Sequence, residues 1–264
     1  MAKIISTHSF RAGTGKSHTI ANLAVLTAKA GYRVGVVDAA IQSSGIHTLF
    51  KLSECDVTRS LHDYLLESCC AEDAAYDVTE RCIGDEVHCT ERTRLFLIPS
   101  SIRRGDIANA LREGYEVSRL NDCVRSLVQL LRLDYLFIDT EPGVNEETLL
   151  SMAISDALIL MLRPDQQEFQ GTAIAIELAR RLNIPKLHLI INKAPSGMDP
   201  TVLRMQVECM YGLEVQAVLP LSVDMAKKST GDIFCNRYPT NPLTQELQKL
   251  GDRIVGGLPS SRLA

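Results

Sequence analysis

The sequence predicts an α/β fold: a mainly parallel central sheet flanked by helices on both faces. Two observations carry that expectation. Short, nearly continuous apolar runs alternate with helical patterns, which is how strands buried on both faces read. Several of those runs stop at an acid, an amide or a proline, and the carboxyl ends of strands are where open α/β sheets bind ligands. No internal repeat, low-complexity tract or linker divides the 264 residues, so one domain over 1–264 is expected, with a Cys-rich insertion at 52–93.

The elements follow in order. Residues 3–8 read as a strand. Residues 17–30 read as a helix, with Ile20, Leu23, Ala24 and Leu26 at near-helical spacing and Gly31 as its stop. Residues 33–38 form a buried strand ending in Asp38. Strands are expected at 95–99 and at 134–139, the latter ending in Asp139, and then at 157–162. A helix near 169–182 precedes strands at 186–192 and 215–220.

Composition narrows the classes. Hydrophobic residues make up 45% and charged residues 23%, values that exclude a mostly disordered chain. No apolar run reaches the roughly 18 residues of a membrane span. The N-terminus moves straight into a strand pattern without a leader, so a cytoplasmic location with reduced thiols is expected for the eight cysteines. A formal net charge of −4 gives no general attraction to nucleic acid or anionic lipid.

The most informative segment lies between the first strand and the first helix: Arg11-Ala12-Gly13-Thr14-Gly15-Lys16-Ser17. A small-residue turn there points backbone N–H groups inward at phosphate oxygens, and the helix N-terminus adds partial positive charge. Lys16 is placed to reach the β- and γ-phosphates, and the Ser17 hydroxyl to ligate Mg²⁺. The pattern G-x-x-x-x-G-K-[ST] fails because its first glycine position is Phe10. The match is to the variant K-G-G-x-G-K-[ST], which resembles the deviant Walker-A loop of the ParA/MinD family of P-loop NTPases. Other segments resemble that family in the same order. Asp38-Ala39-Ala40-Ile41-Gln42 lies where the family has D-x-D, and Asp139-Thr140-Glu141-Pro142-Gly143 resembles its second switch. Asn192-Lys193 resembles its base-contacting pair, and Leu219-Pro220-Leu221-Ser222 its adenine-closing turn. Cys235-Asn236-Arg237-Tyr238-Pro239 before a final helix is also similar to the family.

The resemblance implies ATP/ADP and Mg²⁺ as cofactors and a homodimer with nucleotide at the interface. The implied nucleotide cradle is Ala12, Gly13, Thr14, Gly15, Lys16, Ser17 and His18, with Asp139, Gly143, Asp165, Asn192, Lys193 and Pro220 around it. Implied metal ligands, direct or through water, are Ser17, Asp38 and Asp139. Implied catalytic residues are Lys16, Asp38 and Arg11, the last standing where the family has a lysine that reaches the partner's nucleotide; arginine keeps the charge as a planar fork. Asp165 suits either the partner's ribose or a helix N-cap.

Three departures stand out. Ala40 replaces an aspartate that orients the attacking water, so slow or absent hydrolysis is expected. Ala12 replaces a glycine, which costs about 1 kcal/mol or more if φ is positive and little otherwise. Glu141 replaces a neutral residue and is expected to point to solvent.

Cys55, Cys69, Cys70, Cys82 and Cys89, with His62 and His88, lack the paired spacing of zinc ligands, and reduced thiols are expected instead. The C-terminal stretch 247–259 lacks a dense basic face and is expected to pack on the domain rather than on a membrane. Lys227, Lys228, Arg237 and Arg253 are the candidates for nonspecific DNA contact, against the plainer reading of solvated faces. Three functions follow as expectations: an ATP-binding dimerisation switch that positions or partitions DNA or a protein assembly through a partner protein, a non-catalytic nucleotide-binding interaction module, or a phosphate-activating ligase on the same scaffold.

Overall fold

A computed structural model describes residues 2–40, 45–84, 92–101, 118–227 and 232–256. Among the sequence expectations, Ile41, Gln42, His88, Cys89, Lys228 and the tail beyond Gly256 lie outside the described residues, as does the Lys227 side chain.

The strands are β1 (Lys3–His8), β2 (Arg33–Asp38), β3 (Tyr76–Asp77), β4 (Arg94–Ile98), β5 (Tyr135–Asp139), β6 (Ala157–Leu162), β7 (Lys186–Ala194) and β8 (Val215–Pro220). They form one sheet in the order β3-β4-β2-β5-β1-β6-β7-β8, parallel except for the β3–β4 edge pair. The longer helices are α1 (Lys16–Lys29), α5 (Ser118–Leu130), α6 (Glu146–Ala153), α7 (Gln166–Arg181), α8 (Pro200–Tyr211) and α11 (Pro242–Gly251). Short helical turns are α2 (Ile46–Leu49), α3 (Leu61–Leu65), α4 (Thr79–Ile83), α9 (Val223–Lys227) and α10 (Phe234–Arg237).

Period-two alternation sends successive strand residues to opposite faces, and here both faces are covered. Tyr135 and Phe137 of β5 join the cluster under α1 and α11, while Leu136 and Ile138 join the cluster under α3 and α5. A third cluster packs β6, β7 and β8 against α7 and α8. Helix α1 is buried over most of its circumference, as a central helix with Ile20, Ala21, Leu23, Ala24 and Val25 facing several neighbours must be. It ends at Gly31, whose φ of +97° is the left-handed stop the sequence suggests.

Two expectations gain detail. Segment 52–84 holds α3, the edge strand β3 and α4, with a reciprocal Ser60–Asp63 capping box opening α3. Its cysteines Cys55, Cys69, Cys70 and Cys82 are free thiols. At the other end, α11 and the π-helical turn Asp252–Gly256 pack on the sheet through Leu247, Leu250, Ile254 and Val255, as expected of a docked C-terminal helix. The Tyr135 hydroxyl donates to the Val255 carbonyl at 2.9 Å. Among the described residues no helix is long and apolar enough to cross a membrane.

Candidate functional site

The carboxyl ends of β2, β5 and β1 lie side by side, with Asp38 opposite Asp139 and Thr7 opposite Asp139 in the registers. Strand β1 then turns through the loop 9–15 into α1. Gly13 (φ +75°) and Gly15 (φ +96°) take left-handed conformations that a side chain would strain. A Cβ on Gly13 would meet nothing within 4 Å, so the loop faces open space there. Gly15 caps α1 without any side-chain hydrogen bond, which leaves the first-turn N–H groups available to an anion. Ala12 does not share the positive φ of its neighbours, so the departure from glycine carries no backbone strain.

Ser9 organises the loop from below. Its hydroxyl donates to the Arg11 carbonyl at 2.7 Å and accepts from Thr14 Oγ1 at 2.9 Å and Lys16 Nζ at 3.0 Å. Burial holds the Lys16 ammonium below its ordinary pKa, and the charges of Asp139, Glu141 and Glu168 oppose that shift. Asp38 and Asp139 are each 1% exposed. Burial raises the pKa of both; Asp139's charge adds to the rise at Asp38, while hydrogen bonds from Ser17 and Thr7 and the Lys16 charge moderate it at Asp139. Asp38 Oδ1 accepts from the Ala40 N–H at 3.1 Å, but Oδ2 is buried with no partner. An orphaned carboxylate oxygen beside a hydroxyl and a second carboxylate is the donor set of a hard divalent cation that keeps most of its waters. The residues therefore fit Mg²⁺: Asp38, Asp139 and Ser17 would hold it, and the loop N–H groups and Lys16 would take the anion it accompanies. Among the described residues no group of three or more His, Cys, Asp or Glu is placed to hold a metal by itself.

Asn192 and Lys193 close the loop from the β7 side. Asn192 Nδ2 donates to the Thr14 carbonyl at 2.7 Å and its Oδ1 accepts from the Lys193 N–H at 2.8 Å. One amide hydrogen and one lone pair remain for a ligand. Lys193, at φ +58°, donates from Nζ to the Gly13 carbonyl at 2.6 Å. Pro220 pairs with Ala194 at the end of β8, beside that couple. His18 is half-buried in the first turn of α1, where burial and the Lys193 charge lower its pKa. The Gly143 N–H donates to the Ser9 carbonyl at 3.1 Å, tying the second switch to the loop.

Two of the expected residues are engaged elsewhere. Arg11 donates to Gln167 Oε1 at 2.6 Å on the first turn of α7. Asp165 caps that helix by accepting from the Glu168 N–H at 3.0 Å and lies 3.3 Å from Arg163, so the capping role is the one this chain displays. The expectation for Glu141 is overturned. It is 8% exposed rather than solvent-facing, because the chain on either side is pinned to the loop: the Thr140 hydroxyl donates to the Thr7 carbonyl at 2.6 Å, and Gly143 is bound to Ser9 as above.

Sequence reasoning missed four residues. Ser9 gave only the faint signal of a hydroxyl preceding the loop. His8 is buried with both ring nitrogens unpartnered. Glu168 is fully buried against Arg163 at 3.1 Å. Gly171 lets α7 lie against Phe10, where a Cβ would come within 2.1 Å of the ring. Phe10 thus occupies the glycine position of the ordinary loop pattern because a glycine elsewhere makes room.

Comparison with known proteins bears on the family and the fold. A family model described as an AAA domain matches residues 2–188. An uncharacterized ATP-binding protein of Methanocaldococcus jannaschii is 25% identical, over 100% of this chain and 91% of the relative. An iron–sulfur cluster carrier protein of Aquifex aeolicus is 26% identical, over 86% of this chain and 59% of the relative. The septum site-determining protein MinD of Pyrococcus horikoshii, solved with Mg-ADP, superposes with a TM-score of 0.77 at 20% identity, covering 98% of each chain.

Proposed function

This chain belongs to the ParA/MinD family of P-loop ATPases, and on that premise we propose that it is an ATP-controlled dimerisation switch with slow hydrolysis, read by a partner protein in the positioning of DNA or of a protein assembly. The observation that carries the reading is the convergence of Lys16, Ser17, Asp38 and Asp139 at one sheet edge, with Asp38 Oδ2 buried and unpartnered. Bound there, Mg²⁺ would neutralise phosphate charge. Lys16 would leave Ser9 for the phosphates, the N–H groups of loop and helix would hold the phosphate oxygens, and Asn192 would meet the base. Arg11 is exposed on the same edge, where it donates to the neutral Gln167 amide and its charge acts on Glu168, and it would exchange Gln167 for a second copy's nucleotide.

Slow hydrolysis follows from Ala40, whose methyl cannot orient water. Restoring the carboxylate tests it: Ala40→Asp should raise single-turnover hydrolysis of MgATP by about 10-fold or more, within the range that positioned acid–base groups supply. Equal, readily measured rates in the two proteins would contradict it. Ala40 also favours a second reading, a module that holds ATP without turning it over; a bound nucleotide that stays intact for hours would select it.

A further inference from the structure

Two departures from the family pattern stand just beyond the neighbouring carboxyl ends of β2 and β5. Ala40 removes an oxygen from the first switch, and Glu141 adds a carboxylate to the second. Resting on the switch reading above, we propose that Glu141 takes over the work of the missing aspartate, accepting a hydrogen bond from the attacking water and aiming it at the γ-phosphorus.

The placement carries the argument. Glu141 lies two residues beyond Asp139, whose carboxylate bonds Ser17 at the start of α1. Thr140 is tied to Thr7 at the end of β1 and Gly143 to Ser9 of the phosphate loop, which fixes where the Glu141 backbone stands. It is buried, and its charge acts on Lys16, Asp38 and Asp139, so all three lie within its electrostatic reach. Taking a carboxylate out of water beside two others is costly, and the Lys16 charge offsets part of that cost at Asp139. A residue needed only for solubility would turn outward. Asp38 Oδ2, buried without a hydrogen-bond partner, is a polar atom at this sheet edge that a ligand would satisfy.

In the step itself, the water oxygen bonds to the γ-phosphorus as the bond to the β–γ bridging oxygen breaks, its electron pair staying on ADP. The proton shed by the water ends on the released phosphate. Glu141 contributes orientation: a fixed acceptor that removes the search for the in-line approach.

The test is Glu141→Gln, which keeps the shape and removes the charge. MgATP affinity is read by calorimetry and hydrolysis by single turnover, with Ala40→Asp and the double variant alongside. Hydrolysis should fall by about 10- to 100-fold while MgATP binds at least as tightly, because a carboxylate near the phosphates has been neutralised. In the Ala40→Asp background the same change should cost less than about threefold, since the two carboxylates would do one job. The proposal is overturned if Glu141→Gln hydrolyses ATP as fast as the parent, if it loses binding and hydrolysis in proportion, or if the parent binds MgATP without turnover. Failure of the parent to bind MgATP would instead overturn the switch reading itself.

Discussion

At the scale of single residues, His8 gives the sharpest handle on the folded state. It ends β1 inside the sheet, and burial, with the Lys16 charge second, lowers its pKa to about 3. The ordinary value is 6.5, so below that pH the unfolded chain takes up a proton that the folded chain refuses. The stability this neutral imidazole permits is complete above pH 6.5 and is lost as pH falls toward 3. Between pH 7.5 and pH 5 that loss amounts to about 2 kcal/mol. Denaturant unfolding of His8→Leu should therefore show a pH 7.5-to-5 drop smaller than the parent's by that amount; parallel profiles would contradict the assignment. The site residues were legible in the sequence to different degrees. The loop, Asp38 and Asp139 could be read because each is a local pattern at a strand end. The inward turn of Glu141 could not, since it follows from two hydrogen bonds that Thr140 and Gly143 make to Thr7 of β1 and Ser9 of the loop. Ser9 was equally hidden: its role comes from three partners that meet only once the loop is closed.

At the scale of elements, the seat of α7 on the loop depends on one glycine. Phe10 fills the space a Gly171 side chain would need. Gly171→Ala should destabilise the chain by about 1–3 kcal/mol, the usual cost of overpacking. Phe10→Ala should cost stability on its own through the cavity it leaves, and the double variant should be less destabilised than the sum. Simple additivity in thermal or denaturant unfolding would show that the two do not share the space. The long strands were readable because both of their faces are apolar, and α1 because its pattern lies between a phosphate loop and a glycine stop. The segment 52–84 resisted reading because α3, β3 and α4 are too short to show a period; they are fixed by caps and by tertiary contacts such as the Leu61 N–H donating to the Pro99 carbonyl at 2.8 Å.

At the scale of the whole molecule, the sheet order explains why distant segments meet. Strand β5 inserts between β1 and β2, so the first and second switches flank one another, and β7 and β8 bring Asn192, Lys193 and Pro220 to the same edge. Arg11 stands on that edge, exposed and held by a neutral partner. A net charge of −4 gives the molecule no general pull toward DNA or anionic lipid, so a partner that reads the nucleotide state carries more of the account than the surface charge does. The central claim is that ATP closes two copies over this edge. Light scattering after size exclusion, with no nucleotide, with ADP and with ATP–Mg²⁺, tests it most directly: the account predicts a monomer in the first two conditions and a dimer in the third, and a monomer in all three would contradict it.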